Sequence, residues 1–248
     1  MCGIAGQISF NKPVQVQHLK QMTDALAHRG PDGEGHWINE SGSVGLGHRR
    51  LSIIDLSACG AQPMHIGNRY VIVFNGEIYN YIELREDLLK KGYCFQSATD
   101  TEVLVWMYDA YQENCLQYFD GMFAFVLYDK QENKIFGARD RFGEKPFFYN
   151  QDAEGNFYFA SEIKALWSAG VPREMCEAFL FNYLAFGYVQ DPDKPERTFY
   201  KNIYKLPASS YFYYEPNCRK LSIHKYWDID WQHTDNNISE ESAAGKLN

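Results

Sequence analysis

The spacing of apolar residues along the chain switches repeatedly between two-residue and helical periods. CGIAGQISF (residues 2–10) is small, apolar and strand-like. VQHLKQMTDALA follows with Leu19, Met22 and Leu26 on one face, which predicts an amphipathic helix. HRGPDGEGHW (28–37) crowds Gly30, Pro31, Asp32 and Gly33 together and reads as a loop. Strand patterns return in VGLGHRRLSIID (44–55) and RYVIVFNGE (69–77). YIELREDLLKKG predicts a helix with Leu84 and Leu88 one turn apart and Gly92 as its stop. TDTEVLVWMYDAYQ predicts a second helix, with Thr99 and Glu102 at capping-box spacing. GMFAFVLYD, KIFGARD, PFFYN and NFYFASE form a run of short aromatic strands with turns between them. A further helix is predicted in REMCEAFLFNYLAF and a Pro-rich loop in VQDPDKPERTFY. After KYWDID the chain becomes polar and aperiodic and reads as a linker. Clustered meanders with interspersed helices predict an α+β fold with largely antiparallel sheets.

Composition narrows this picture. The 248 residues suffice for one large domain or two small ones, and the net charge of −8 argues against a nucleic-acid partner. No apolar run is long enough to cross a bilayer, and no basic segment leads into an apolar one at the N-terminus. The expected setting is therefore the cytoplasm, with no membrane partner. The six cysteines form no C-x-x-C pair and read as reduced thiols, and the histidines do not join them at zinc-site spacing, so no metal is expected. His28, His36 and His48 are each expected to make a structural hydrogen bond.

Four stretches could carry chemistry, and each has two readings. Cys2 is either a small buried residue opening an edge strand or, once Met1 is removed, a nucleophile with its own base. The α-amine has an ordinary pKa near ~8 and the thiol one near ~8.5, so the amine can take the thiol proton directly or through one water. Asn75 and Gly76 are either the centre of a hairpin turn or two hydrogen-bond donors for a developing oxyanion. Arg50, entering an apolar strand, is either a rim residue or a bidentate partner for a carboxylate. Asp100 is either part of a helix cap or a carboxylate that grips an ammonium. Taken together, the chemical readings converge on one ligand: an amino acid with a side-chain amide, of which glutamine is the obvious example. Glu77 would join Asp100 at its ammonium.

The ordered motifs Cys2-Gly3-Ile4-Ala5-Gly6, HRGPDGEG, RRLSIID, FNGEIYNY, TDTEV, GMFAFVLYD and RDRFGEKPFFY closely resemble the class II glutaminase domain of asparagine synthetase, over about residues 2–215. The resemblance implies a four-layer αββα N-terminal nucleophile hydrolase fold. It implies Cys2 as nucleophile and Asn75 with Gly76 as oxyanion hole. Arg50, Glu77 and Asp100 would bind glutamine, with backbone groups of Leu51, Ser52, Ile53 and Ile54 lining the pocket. His28 to Gly33 would form a loop closing over glutamine. Residues 216–248 would be a linker and the start of a synthetase domain. That domain's Gly-rich, pyrophosphate-binding SGGLDSS-type loop is absent from the sequence, so ATP and magnesium are expected only beyond this chain. The expected reaction is glutamine hydrolysis supplying ammonia for asparagine synthesis, with homodimerisation left open. The alternatives are another amidotransferase with a different acceptor, or a non-catalytic docking module of the same fold.

Overall fold

A computed structural model describes residues 1–52, 58–229, 239 and 242. Ile53 and Ile54, and most of the polar segment after Ile229, lie outside the described residues.

The N-terminal strand β1 (Gly3–Ile8) is buried along its whole length. It lies in the middle of a sheet, between β9 (Phe157–Ala160) and β3 (Val44–Arg50), and not at an edge. β2 (Gly33–Ile38) flanks β3, while β8 (Phe148–Gln151) and the short β10 (Tyr204–Lys205) complete the other side. The second sheet runs β12 (Lys220–Lys225), β11 (Ser210–Glu215), β7 (Lys134–Arg139), β6 (Gly121–Asp129), β5 (Tyr70–Ile78), β4 (Met64–Ile66). Every pairing within the two sheets is antiparallel.

Strand alternation sorts the side chains into three packed interfaces. Ile4 and Ile8 of β1 meet Val71 and Val73 of β5 between the sheets. Ala5, on the other face of β1, packs with Leu19, Met22 and Leu26 from α1 (Val16–Asp24) and its C-terminal turn, and with Leu166 of α4 (Ile163–Ser168). Ile72 and Phe74 point the opposite way from Val71 and Val73. They pack with Leu84 and Leu88 of α2 (Tyr81–Lys90) and Leu104 of α3 (Asp100–Tyr111). The order is helix, sheet, sheet, helix: the αββα arrangement, built from an α+β chain.

Several local expectations are corrected. The turn-rich stretch 28–37 is only a loop as far as Asp32, because Gly33 onward pairs with β3 in the register Gly33↔Arg50. Asn75-Gly76 is not a hairpin turn; it lies within β5, where Asn75 faces Ala124 and Gly76 faces Phe123. The last predicted helix, α5, is shorter than its pattern (Glu177–Phe186) and ends at Gly187, whose φ of 73° supplies the left-handed cap.

Candidate active site

The end of β1 nearest the N-terminus, the end of β3 and the C-terminal half of β5 meet at a cleft of about 240 Å³. Cys2, Arg50, Leu51, Asn75, Gly76, Glu77 and Asp100 all line it, together with His48, Gln62, Met122 and Lys145. Residues as far apart in sequence as Cys2 and Lys145 are thus brought to one cleft by the packing of the two sheets. Ser52 does not line the cleft; its N–H donates to Asp32 Oδ2 at 2.8 Å.

Cys2 is half-buried just before β1. The Leu51 N–H donates to its Sγ at 3.3 Å, and the thiol lies 3.6 Å from Leu51 O. Burial pushes the thiol pKa up. The Leu51 N–H, the chain's terminal ammonium and the guanidinium groups of Arg50 and Arg29 oppose that shift. Arg29 Nε also donates to Cys2 O at 3.0 Å, and its Nη1 pairs with Glu162 at 3.0 Å, which fixes the backbone carrying the sulfur. Met1 is present and exposed, so the Cys2 nitrogen is an amide in this structure.

The placement of Asn75 and Gly76, the donors expected at an oxyanion, follows from strand geometry. Tyr79 N–H bonds Asp120 O at 2.7 Å. In an antiparallel ladder, alternate residues then point their backbone groups at the partner strand and away from it. Asn75 and Glu77 direct theirs at β6, while Phe74, Gly76 and Ile78 direct theirs outward. Phe123, opposite Gly76, agrees: its N–H goes to Asp140 Oδ2 at 3.2 Å and its carbonyl accepts from Asp140 N–H at 2.9 Å, both on the far side of β6. β4 pairs only with Tyr70–Ile72, so the outward edge beyond it is finished by side chains. Gln62 Oε1 accepts from Phe74 N–H at 2.6 Å, His48 Nε2 donates to Phe74 O at 3.1 Å, and Asp100 Oδ2 accepts from Ile78 N–H at 3.0 Å. Gly76 N–H stands between these satisfied groups and opens on the cleft.

Gly76 has a steric reason to be glycine. A Cβ there would lie 2.3 Å from Met122 O and 2.7 Å from Phe123 Cα. Beside it, the Asn75 side chain projects from the inter-sheet face. It is buried, and its Nδ2 has no partner among the described residues. A buried donor left unpaired costs about 1–3 kcal/mol, which a ligand oxygen would recover.

Asp100 opens α3. Thr99 accepts from Glu102 N–H at 3.2 Å and caps the helix, which leaves Asp100 free of that duty. The capping box is half-formed, since the Glu102 carboxylate turns to Gln96 N–H and Ser97 N–H instead of Thr99. Burial raises the Asp100 carboxyl to about 6, with the Ile78 N–H as the main opposing influence. His48 is fully enclosed, and burial drops it to about 4, so it is neutral and its Nε2–H is spent on Phe74 O. His28 and His36 likewise make the expected structural contacts, with Glu162 and Thr23.

Sequence reasoning missed Arg29, Gln62 and Lys145. Arg29 and Lys145 lie in quoted motifs, but nothing local marks either as facing Cys2 or the cleft. Gln62 carries no signal beyond the proline after it.

Two antiparallel sheets between helical layers, with a cysteine at the mouth of a central strand, define an amidotransferase fold of the N-terminal nucleophile type. The chain belongs to the glutamine amidotransferase domain family, whose model matches residues 1–227. It is 41% identical over 223 residues to asparagine synthetase [glutamine-hydrolyzing] 1 of Bacillus subtilis, covering 88% of this chain and 34% of that protein. It is 36% identical over 253 residues to putative asparagine synthetase [glutamine-hydrolyzing] 2 of Methanocaldococcus jannaschii, covering 92% and 47%. The chain thus spans between a third and a half of these relatives. The solved glutamine phosphoribosylpyrophosphate amidotransferase from B. subtilis superposes with a TM-score of 0.67 at 17% identity, over 90% of this chain and 49% of that one, and shares the fold. Among the described residues no helix is long and apolar enough to cross a membrane, and no cluster of His, Cys, Asp and Glu could hold a metal ion.

Proposed function

We propose that this chain hydrolyses glutamine to glutamate and ammonia, with Cys2 as nucleophile. The observation that carries this reading is the cleft itself. It places a thiol beside an unpaired buried amide donor and an outward backbone N–H, with a guanidinium and two carboxylates on the same lining. Arg50 holds the α-carboxylate of glutamine, and Asp100 and Glu77 hold its ammonium. This orients the side-chain amide toward Cys2.

Removal of Met1 frees the Cys2 amine. The amine takes the thiol proton, and sulfur attacks the amide carbon. The oxyanion is held by Asn75 Nδ2 and Gly76 N–H. The protonated amine returns its proton to nitrogen as the C–N bond breaks. Ammonia leaves and a γ-glutamyl thioester remains. Water, deprotonated by the same amine, then attacks the thioester, and glutamate and the thiol are released. The loop His28–Gly33 covers the bound substrate. In a longer protein the ammonia serves ATP-dependent synthesis of asparagine from aspartate on a following synthetase domain, where ATP and magnesium belong. The glutaminase unit runs past residue 215 through β12, which pairs with β11, to residue 227, and the residues beyond it lead toward that domain.

The test combines intact mass with a glutamine analogue bearing an electrophile at the side-chain carbonyl. Active protein is expected to lack Met1 and to take one label, on Cys2. Cys2→Ala is expected to abolish hydrolysis while leaving the fold intact. Full activity in protein that retains Met1 would overturn the amine's role as base.

A further inference from the structure

Among the described residues, Lys145 is the charged side chain lining the cleft that glutamine hydrolysis as proposed does not use. It is 5% exposed, yet among the described residues its ammonium makes no ion pair and no hydrogen bond. The ammonium itself is not sealed from solvent, so it stands as an available cation that a ligand carboxylate can meet. Its backbone is held firmly. Lys145 N–H donates to Asp140 Oδ2 at 3.0 Å, and Lys145 O accepts from Arg139 Nε at 2.6 Å. The same Asp140 oxygen accepts from Phe123 N–H, and Phe123 lies opposite Gly76 in the β5–β6 ladder. Lys145 is therefore anchored one strand away from Gly76, and it lines the same cleft.

Among the described residues, the charged side chains lining the cleft are those of two cations, Arg50 and Lys145, and two carboxylates, Glu77 and Asp100. Glutamine brings one carboxylate and one ammonium. With Arg50 on the α-carboxylate, glutamine leaves Lys145 without a partner. Hydrolysis then converts the neutral amide into a second carboxylate at the end of the side chain, where Asn75 and Gly76 lie. We infer that Lys145 recognises the γ-carboxylate of product glutamate, and stabilises the oxyanion of the thioester-hydrolysis step from which it forms. This rests on the glutaminase reading and adds a product-specific contact to it.

Competitive inhibition of glutamine hydrolysis tests the idea, using protein lacking Met1. The two inhibitors are L-glutamate and L-norvaline, which share the α-amino-acid end and differ in the γ-charge. Lys145→Met keeps the stem and removes the charge. It is expected to weaken inhibition by glutamate at least about tenfold while moving norvaline by less than about twofold. Lys145→Arg is expected to restore most of the glutamate affinity. Equal weakening of both ligands would mean that Lys145 only shapes the cleft, and unchanged glutamate inhibition would mean that it faces no product; either overturns the inference. Wild-type protein that neither hydrolyses glutamine nor binds glutamate would overturn the glutaminase reading as well. Lys145 fails alone if the wild type does both and Lys145→Met matches it.

Discussion

Asn75 and Asp100 are buried polar residues whose burial has opposite consequences. Asn75 keeps an unpaired donor at the place where charge would develop. Asn75→Ala is therefore expected to lower turnover by about 100-fold with little change in KM, measured by steady-state ammonia release. A change in KM alone would move Asn75 from the reacting carbonyl to the binding end. Asp100 is a carboxyl raised to about 6, against about 3.9 in an unfolded chain. Between those values the folded state holds a proton that the unfolded state releases, so its contribution to stability falls as pH rises, and the cost is fully present above about pH 6. His48 works the other way. Its folded value of about 4 lies below the unfolded ~6.5, so its stabilising contribution grows as pH rises through that window. Asp100→Asn keeps an oxygen for the Ile78 N–H and removes the buried charge. It is expected to be more stable than wild type at neutral pH by on the order of 1–3 kcal/mol, with the gap closing toward about pH 4, while glutamine affinity is lost. Urea unfolding across that range checks it, and a gap independent of pH would contradict it. Wild-type affinity for glutamine should itself weaken below about pH 6, as the carboxylate proposed to pair with the ammonium is neutralised.

At the scale of elements, the open edge of β5 makes the site and the loop after β7 braces it. Asp140 accepts from Phe142 N–H at 3.1 Å, Glu144 N–H at 2.9 Å, Lys145 N–H at 3.0 Å and Phe123 N–H at 3.2 Å. Asp140→Ala strips all these donors of their acceptor inside the protein. A loss of at least about 3 kcal/mol is expected in chemical denaturation, since each unmet buried donor costs about 1–3 kcal/mol. A loss below about 1 kcal/mol would show that water replaces the carboxylate freely. The long elements were legible because their periods are strong: α3 carries a capped apolar run, and β5 and β6 are continuous apolar strands. The short ones were not. β4, β10 and α4 are too brief for a period to emerge, and their positions are set by the strands and helices they pack on.

For the molecule as a whole, the charge and loop inventory limits what this chain does alone. ATP activation of aspartate needs a phosphate-cradling loop and bound magnesium. The sequence has no Gly-rich loop of that kind. The isolated chain is therefore expected to release ammonia from glutamine at a rate that ATP, magnesium and aspartate together leave unchanged, with no pyrophosphate and no asparagine. One assay following all three products checks this, and pyrophosphate from the purified chain would refute it.

Periodicity and residue chemistry determined the α+β class, the antiparallel meanders and the residue types suited to an amide-bearing amino acid: a thiol, a guanidinium, carboxylates and an Asn-Gly pair. Local pattern could not choose between a turn and a strand for Asn75-Gly76, or between a cap and a ligand for Asp100, because each pattern is compatible with both. Packing decided. Pairing with β6 holds Asn75-Gly76 extended and turns Gly76 N–H outward, and Thr99 takes the cap so that Asp100 faces Ile78 and the cleft. Face-to-face packing of the two sheets brought Cys2 to Asn75, and the Asp140 brace delivered Lys145 to the same cleft. Such meetings depend on long-range contacts, which no window of neighbouring residues contains.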